Sequence, residues 1–275
     1  MDGAGREGPL EDEIRRYYDA GLEGGRLFAG SGPLELARTQ DVLERHLPAA
    51  PARVLDVGGA TGVYARWLAA KGYEVHLSDP VERHLEEARC HPGPAPASIR
   101  PGDARALPEA DLSADAVVML GPLYHLTERA DRLRALGEGR RVLRPGGVLV
   151  AAAISRYASL LDGLARGFID DPEFVPILER DLREGQHRNP TPRLEYFTTA
   201  FFHVPSELES EATDAGLIPE AVLAVEGPAW LMADLEARWR DEARRRPLLD
   251  LLRRVEGERE LLAASAHLLL IARRP

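Results

Sequence analysis

The chain has 275 residues, 44% hydrophobic and 29% charged, with a formal net charge of −10. That length suits one core with additions. An acidic chain with no dense Lys/Arg block argues against a nucleic-acid footprint, which rests on basic residues displacing counterions.

Cys90 is the single cysteine, so internal disulfides and cysteine-based zinc clusters are excluded. Residues 1–9 are glycine-rich and acidic without an apolar segment, unlike a signal peptide. The longest apolar runs, 148–154 and 268–272, are too short to span a membrane. A cytoplasmic protein with no membrane partner is expected.

Residues 10–18 and 34–46 have the periodicity of amphipathic helices, separated by a flexible segment at 21–32. From 53 to about 153, strand and helix patterns alternate, which predicts a parallel sheet with helices on both faces. The first strand, Val54-Leu55-Asp56-Val57, passes at once into Gly58-Gly59-Ala60-Thr61-Gly62, and a helix follows to residue 70. Strand, glycine turn and helix N-terminus form a place where a ligand lies against bare backbone. The dinucleotide fingerprint needs glycines at the first, third and sixth places of such a turn. Gly58, Ala60 and Val63 hold those places, so the pattern is Asp-x-Gly-x-x-x-Gly instead.

Further on, Val75-His76-Leu77-Ser78-Asp79-Pro80 reads as a strand ending in an acid, and Gly102-Asp103-Ala104 as a turn. Residues 116–120 form a buried-type strand, 133–143 a helix, and Leu143-Arg144-Pro145-Gly146-Gly147 the turn into a strand at 148–153. Residues 155–192 lose the alternation and read as helix and loop, punctuated by Pro172, Pro176, Pro190 and Pro192. The alternation resumes with a helix at 205–215, a strand at 220–226, helices at 230–246 and 247–265, and a last strand at 267–272.

These segments, in this order, resemble the class I S-adenosylmethionine-dependent methyltransferases, closely over 50–155 and loosely elsewhere. Gly-Pro-Leu-Tyr-His-Leu at 121–126 is similar to a bacterial small-molecule subgroup. The resemblance implies an α/β, Rossmann-like, doubly wound, seven-stranded and mostly parallel sheet with helical lid insertions. It divides the chain into cap helices at 1–50, a cofactor-binding core at 51–154, a lid at 155–204 and a C-terminal completion at 205–275. That last part carries a helical insertion at about 228–265, either lid or dimer contact.

S-adenosyl-L-methionine is the implied cofactor. Gly58 and Gly59 would admit its methionine portion; alternatively they serve a tight turn alone. Asp79 would accept the ribose diol, with Pro80 against the adenine face; alternatively Asp79 caps the next helix. Asp103 would accept the adenine amine and Ala104 would offer its amide; turn chemistry is the alternative. Leu120 closes the strand edge that faces the sulfonium. In the cap, Tyr17 and Tyr18 suit cation–π contact with the sulfonium and Arg26 the cofactor carboxylate, or they merely cover the sheet.

Tyr124 and His125 at the end of the fourth strand are candidates to orient or deprotonate an acceptor, and His203 is a further candidate base. The aromatic run at 196–203, in a chain only 6% aromatic, suits an apolar or aromatic acceptor, or packs the insertion. His187 reads as a surface residue, and no metal is expected because His, Asp and Glu are not clustered at ligand spacing. The expected reaction is methyl transfer to O, N or C of a small, natural-product-type metabolite, with a homodimer allowed. RNA or protein methylation and a non-catalytic cofactor-binding module stand as alternatives.

Overall fold

The computed structural model describes residues 23–275; the helix expected at 10–18, with Tyr17 and Tyr18, lies outside them. In chain order the elements begin with α1 (Glu23–Arg26), α2 (Gly32–His46), β1 (Arg53–Val57), α3 (Val63–Ala70), β2 (Glu74–Asp79) and α4 (Glu82–Cys90). They continue with β3 (Ser98–Pro101), β4 (Ala114–Met119), α5 (Pro122–His125), α6 (Arg129–Val142), β5 (Leu143–Ser155), α7 (Ala158–Arg166) and α8 (Val175–Glu184). The remainder is β6 (Gln186–His187), β7 (Ala200–His203), α9 (Pro205–Asp214), β8 (Ile218–Ala224), α10 (Leu235–Arg240), α11 (Glu242–Val255), α12 (Arg259–Leu262) and β9 (His267–Arg273).

The main sheet runs β3-β2-β1-β4-β5-β9-β8, parallel except for β9, which is antiparallel to both neighbours. Its strands are apolar on both faces because helices cover both sides of a parallel sheet. Alternation sorts the two faces. Val54, Ala116, Val118 and Val150 pack with Leu43 of α2, Leu68 of α3 and Leu85 of α4. Leu55, Val57, Val117 and Leu149 pack with Leu136 of α6 and Leu208 of α9. β1 lies between β2 and β4, where the strand order reverses, so a crevice opens at the carboxyl ends of these strands. Among the described residues, no helix is long and apolar enough to cross a membrane.

Two elements differ from the sequence reading. Ala200–His203, expected within the lid, is a strand beside the end of β5, with Ile154 opposite Phe202 and Ser155 opposite His203. Its neighbour β6 extends it as an antiparallel pair. A continuous aromatic run hides the period of two that marks a strand. The break expected at Pro247 does not occur, because α11 runs through it. The helix starts earlier, where the Asp241 carboxylate accepts the Ala243 amide at 3.0 Å. That cap sets the boundary instead of the proline.

A buried ion pair ties α6, α9 and β7 together. Arg132 donates to Glu211 at 2.7–3.1 Å and to the carbonyls of Leu126 and Thr127 at 2.9 Å. The same guanidinium lies 3.6 Å over the Phe201 ring. Burial opposes ionisation of Glu211, but His203 and Arg132 outweigh it and pull the carboxyl down to about 2. Removing one partner leaves the other as an uncompensated buried charge. Glu211→Ala is therefore expected to destabilise the fold by ~3–5 kcal/mol in urea titrations at pH 7. Wild-type stability of the variant would show that the pair is dispensable.

Candidate functional site

The turn after β1 has the backbone that its glycines permit. Gly58 (φ +69°) and Gly62 (φ +79°) lie in the left-handed region, which a Cβ disfavours. A Cβ on Gly58 would also stand 2.6 Å from the Pro122 ring, and one on Gly59 2.6 Å from the Asp56 carboxylate. Ser78 fixes the turn from the neighbouring strand: its carbonyl accepts the amides of Gly58 at 2.7 Å and Gly59 at 3.2 Å.

Asp79, at the end of β2, completes the hold. Oδ2 accepts the Ala60 amide at 2.9 Å, while Oδ1 accepts the Val81 amide at 2.9 Å and lies 3.0 Å from His84 Nδ1. The carboxylate thus serves both the turn and the start of α4, and Oδ2 keeps acceptor capacity for a further donor. Asp56 lies beneath the turn, 1% exposed, and its Oδ2 has no hydrogen-bond partner. Burial and the Asp79 charge push its carboxyl up to about 7. Two buried acids with an orphan oxygen make this crevice electronegative.

The other expected cofactor residues are disposed around it. Pro80 is exposed and Ala104 buried. Asp103 is exposed, with both oxygens engaged by the Arg105 guanidinium at 2.6–3.0 Å. Leu120 follows β4, and the next residue, Gly121, is close to the turn: a Cβ there would stand 3.3 Å from the Gly58 carbonyl oxygen. Arg26 binds Glu35 bidentately at 2.5 and 2.9 Å, so its strongest contact is with the protein.

Of the acceptor-side candidates, Tyr124 and His125 are brought together, with ring centroids 4.7 Å apart, and Phe197 stands 6.0 Å from His125. Phe197 has φ +68°, an uncommon conformation for a bulky residue. Burial holds the His125 imidazole down to about 4, so it is neutral and a weak base at pH 7. His203 is fully buried, with Nε2 3.2 Å from Glu211; it belongs to the Arg132 brace. His187 is 1% exposed, which corrects the surface reading. Its Nδ1 lies 2.8 Å from Asp181 and its Nε2 2.7 Å from the Tyr196 carbonyl. Tyr196 packs on Phe168 and Phe174, and Phe202 stacks on His187, so most of the aromatic run is interior packing.

A small cavity was not legible in the sequence; it is lined by Arg26, Glu35, Tyr64, Leu120, His267 and Leu269, among others. Glu35, Glu226 and His267 offer donor atoms within 4.8 Å of one another, which corrects the expectation that no such cluster exists. The one local signal was polar Glu35, Arg38 and Thr39 at the spacing of the buried face of α2.

Residues 54–147 match the family model of the methyltransferase domain. Over 108 residues the chain is 42% identical to the malonyl-[acyl-carrier protein] O-methyltransferase of Methylococcus capsulatus, covering 38% of each chain. Over residues 54–147 the chain is thus similar to the methyltransferase domain of S-adenosylmethionine-dependent methyltransferases. Over 111 residues it is 38% identical to the ubiquinone/menaquinone biosynthesis C-methyltransferase of Acidiphilium cryptum, covering 38% of this chain and 42% of that one. The matched stretch is thus about two fifths of the length of these curated relatives. A solved S-adenosylmethionine-dependent methyltransferase of Methanosarcina mazei shares the fold with a TM-score of 0.58 at 19% identity, over 85% of this chain and 96% of that one.

S-adenosylmethionine is the cofactor of this family, and the crevice of the methyltransferase domain fits it. The orphan Asp56 oxygen and the paired acids suit a ligand bearing ammonium and sulfonium charges, and Asp79 Oδ2 keeps acceptor capacity beyond the Ala60 amide. The charged form of Asp56 is unfavourable to the fold. Its native pKa lies above its unfolded value, so the native state holds the extra proton between about pH 4 and 7. Stability therefore falls as pH rises through that window. Asp56→Asn is expected to raise Tm by ~2–8 °C at pH 8, at 2–4 °C per kcal/mol, and by little at pH 5. Equal gains at both pH values would refute the charge explanation.

Proposed function

We propose that this chain transfers the methyl group of S-adenosylmethionine to an oxygen, nitrogen or carbon of a small apolar or aromatic metabolite. The observation that carries the reading is the placement of the cavity. Leu120 forms part of its wall and is followed by Gly121, which abuts the glycine turn, while Tyr64 comes from the first turn of α3. Ala152, Val225 and Leu269 add apolar wall beside the polar Arg26, Glu35, Thr39 and His267. A concave site that sets fixed polar groups against apolar wall suits a small molecule. The two relatives bear the names of an O- and a C-methyltransferase, so their likeness supports methyl transfer without selecting the attacked atom.

When bound, S-adenosylmethionine supplies a methyl group already activated by a sulfonium. The protein's part is then to hold the partners in attack geometry, and positioning of this kind is worth ~7–11 kcal/mol. Asp79 anchors the nucleoside hydroxyls while it keeps the turn in shape, and the Asp56 carboxylate complements the positive end. Tyr124 and His125 shape the edge after β4, with Phe197 closing over them. A histidine held near 4 contributes little as a general base at neutral pH, since efficiency peaks when the base pKa is near the working pH. Positioning therefore dominates.

Calorimetric titration with S-adenosylmethionine tests the reading, with NAD as the contrasting ligand. Uptake of the first and not the second is expected, followed by release of S-adenosylhomocysteine when aromatic acceptors are added. Asp79→Asn is expected to weaken cofactor binding by about 1–3 kcal/mol, roughly the value of hydrogen bonds to a charged group, with the far-UV spectrum unchanged. Wild-type affinity in that variant would remove Asp79 from the site.

A further inference from the structure

Three segments far apart in the chain meet at one end of the cavity. Glu226 follows β8, His267 opens β9 and Glu35 lies in the first turn of α2. His267 Nδ1 lies 2.6 Å from Glu226 Oε1 and 3.8 Å from Glu35 Oε2. The other Glu226 oxygen accepts the Ser265 hydroxyl at 2.9 Å and the His267 amide at 3.0 Å. Both Glu35 oxygens accept from Arg26.

The carboxylates are thus satisfied from the protein side by one guanidinium and one imidazole. A divalent cation would have to displace both, which makes this a poor metal site as built. What remains open is the far edge of the His267 ring. His267 lines the cavity, and its Nε2 has no partner among the described residues. Burial disfavours protonation of this ring and Arg26 opposes it too, but Glu35 and Glu226 outweigh both and raise it to about 9. At neutral pH the ring is therefore an imidazolium with an N–H to give.

We propose that His267 Nε2–H anchors an oxygen anion of the acceptor, so that the substrates of this site are phenolates, enolates or carboxylates on an apolar or aromatic body. The inference rests on the methyl-transfer reading for its biological sense. Its own content is an anion-selective donor on the wall of this cavity. Glu226 orients the ring through Nδ1, and Glu35 and Arg26 balance the local charge. Tyr64, the remaining titratable group on the wall, is pushed above its usual range by burial and by Glu35, so it stays a neutral phenol. An acceptor held as its oxyanion has already given its proton to solvent, which removes the need for a strong base at His125.

The probe is 4-nitrophenol, whose phenolate absorbs in the visible and whose phenol does not. It is titrated into the full chain saturated with S-adenosylhomocysteine. Selective binding of the phenolate is expected to lower the apparent pKa of the bound probe by at least one unit, a ten-fold preference for the anion. The preference is expected to fade as pH rises through about 9, when the imidazolium loses its proton. His267→Gln keeps a donor without charge and is expected to reduce the preference at least ten-fold, with S-adenosylmethionine affinity retained as proof of folding. Equal affinity for phenol and phenolate, or an unchanged preference in His267→Gln, would overturn the proposal. Tight uptake of Mn²⁺ abolished by His267→Gln would also overturn it, by assigning the cluster to a cation. Loss of S-adenosylmethionine binding in the wild type would instead strike the methyl-transfer reading and leave anion selectivity to be judged by the probe.

Discussion

The hydrogen bond from the Ala60 amide to Asp79 is the contact on which the site depends. It reaches from the end of β2 to the middle of the glycine turn and fixes that turn against the neighbouring strand. Ser78 takes the amides of Gly58 and Gly59, and Pro122 packs against Gly58 from the β4 side. The same carboxylate starts α4 through the Val81 amide. One acid therefore sets the floor of the crevice, the direction of a helix and the local charge. Its neighbour Asp56, buried with an orphan oxygen, is a cost the fold carries. Unsatisfied groups of this kind concentrate at functional sites, where the ligand supplies the missing partner.

Histidines in this chain show how environment, and not residue type, sets the chemistry. At His125 burial outweighs the Thr199 carbonyl and the Asp79 charge, so the ring stays neutral. His267 is also enclosed, yet two carboxylates reverse the balance and the ring stays charged. His203 and His187 are each bonded to a buried acid, yet both belong to braces that hold the insertion against the sheet. A neutral ring, a charged ring and two struts are thus separated by what surrounds each ring. Sequence inspection cannot tell these environments apart, because none of those neighbours is adjacent in the chain.

The insertion after β5 illustrates a second division. Its aromatic residues are an obvious feature of the sequence, and an aromatic pocket is the natural reading. In the fold, Tyr196 packs on Phe168 and Phe174, Phe201 lies under Arg132, and Phe202 stacks on His187. Phe197 alone stands beside His125, and its left-handed backbone turns it there. Carbonyls of Phe197 and Arg193 on Asn189 Nδ2 hold that loop in place. The wall of the cavity comes instead from α1, α2, α3 and the sheet, where Ala152 and Leu269 carry only the apolar character of core.

What the sequence determined by itself was the strand-turn-helix unit, the order of alternating elements and the acids closing β1 and β2. These are local: period, turn chemistry and capping act within windows of a few residues, and they place Gly58, Gly59, Asp56 and Asp79 before any long-range contact is known. What only the tertiary structure decided was the company kept by Glu35, Glu226 and His267, and the burial of His187 and of most of the aromatic run. Those outcomes depend on which face each strand turns inward and on how α2 settles across β9. Coulomb and hydrogen-bond partners are chosen by proximity in space, and no period in the chain encodes a distance between residues so far apart.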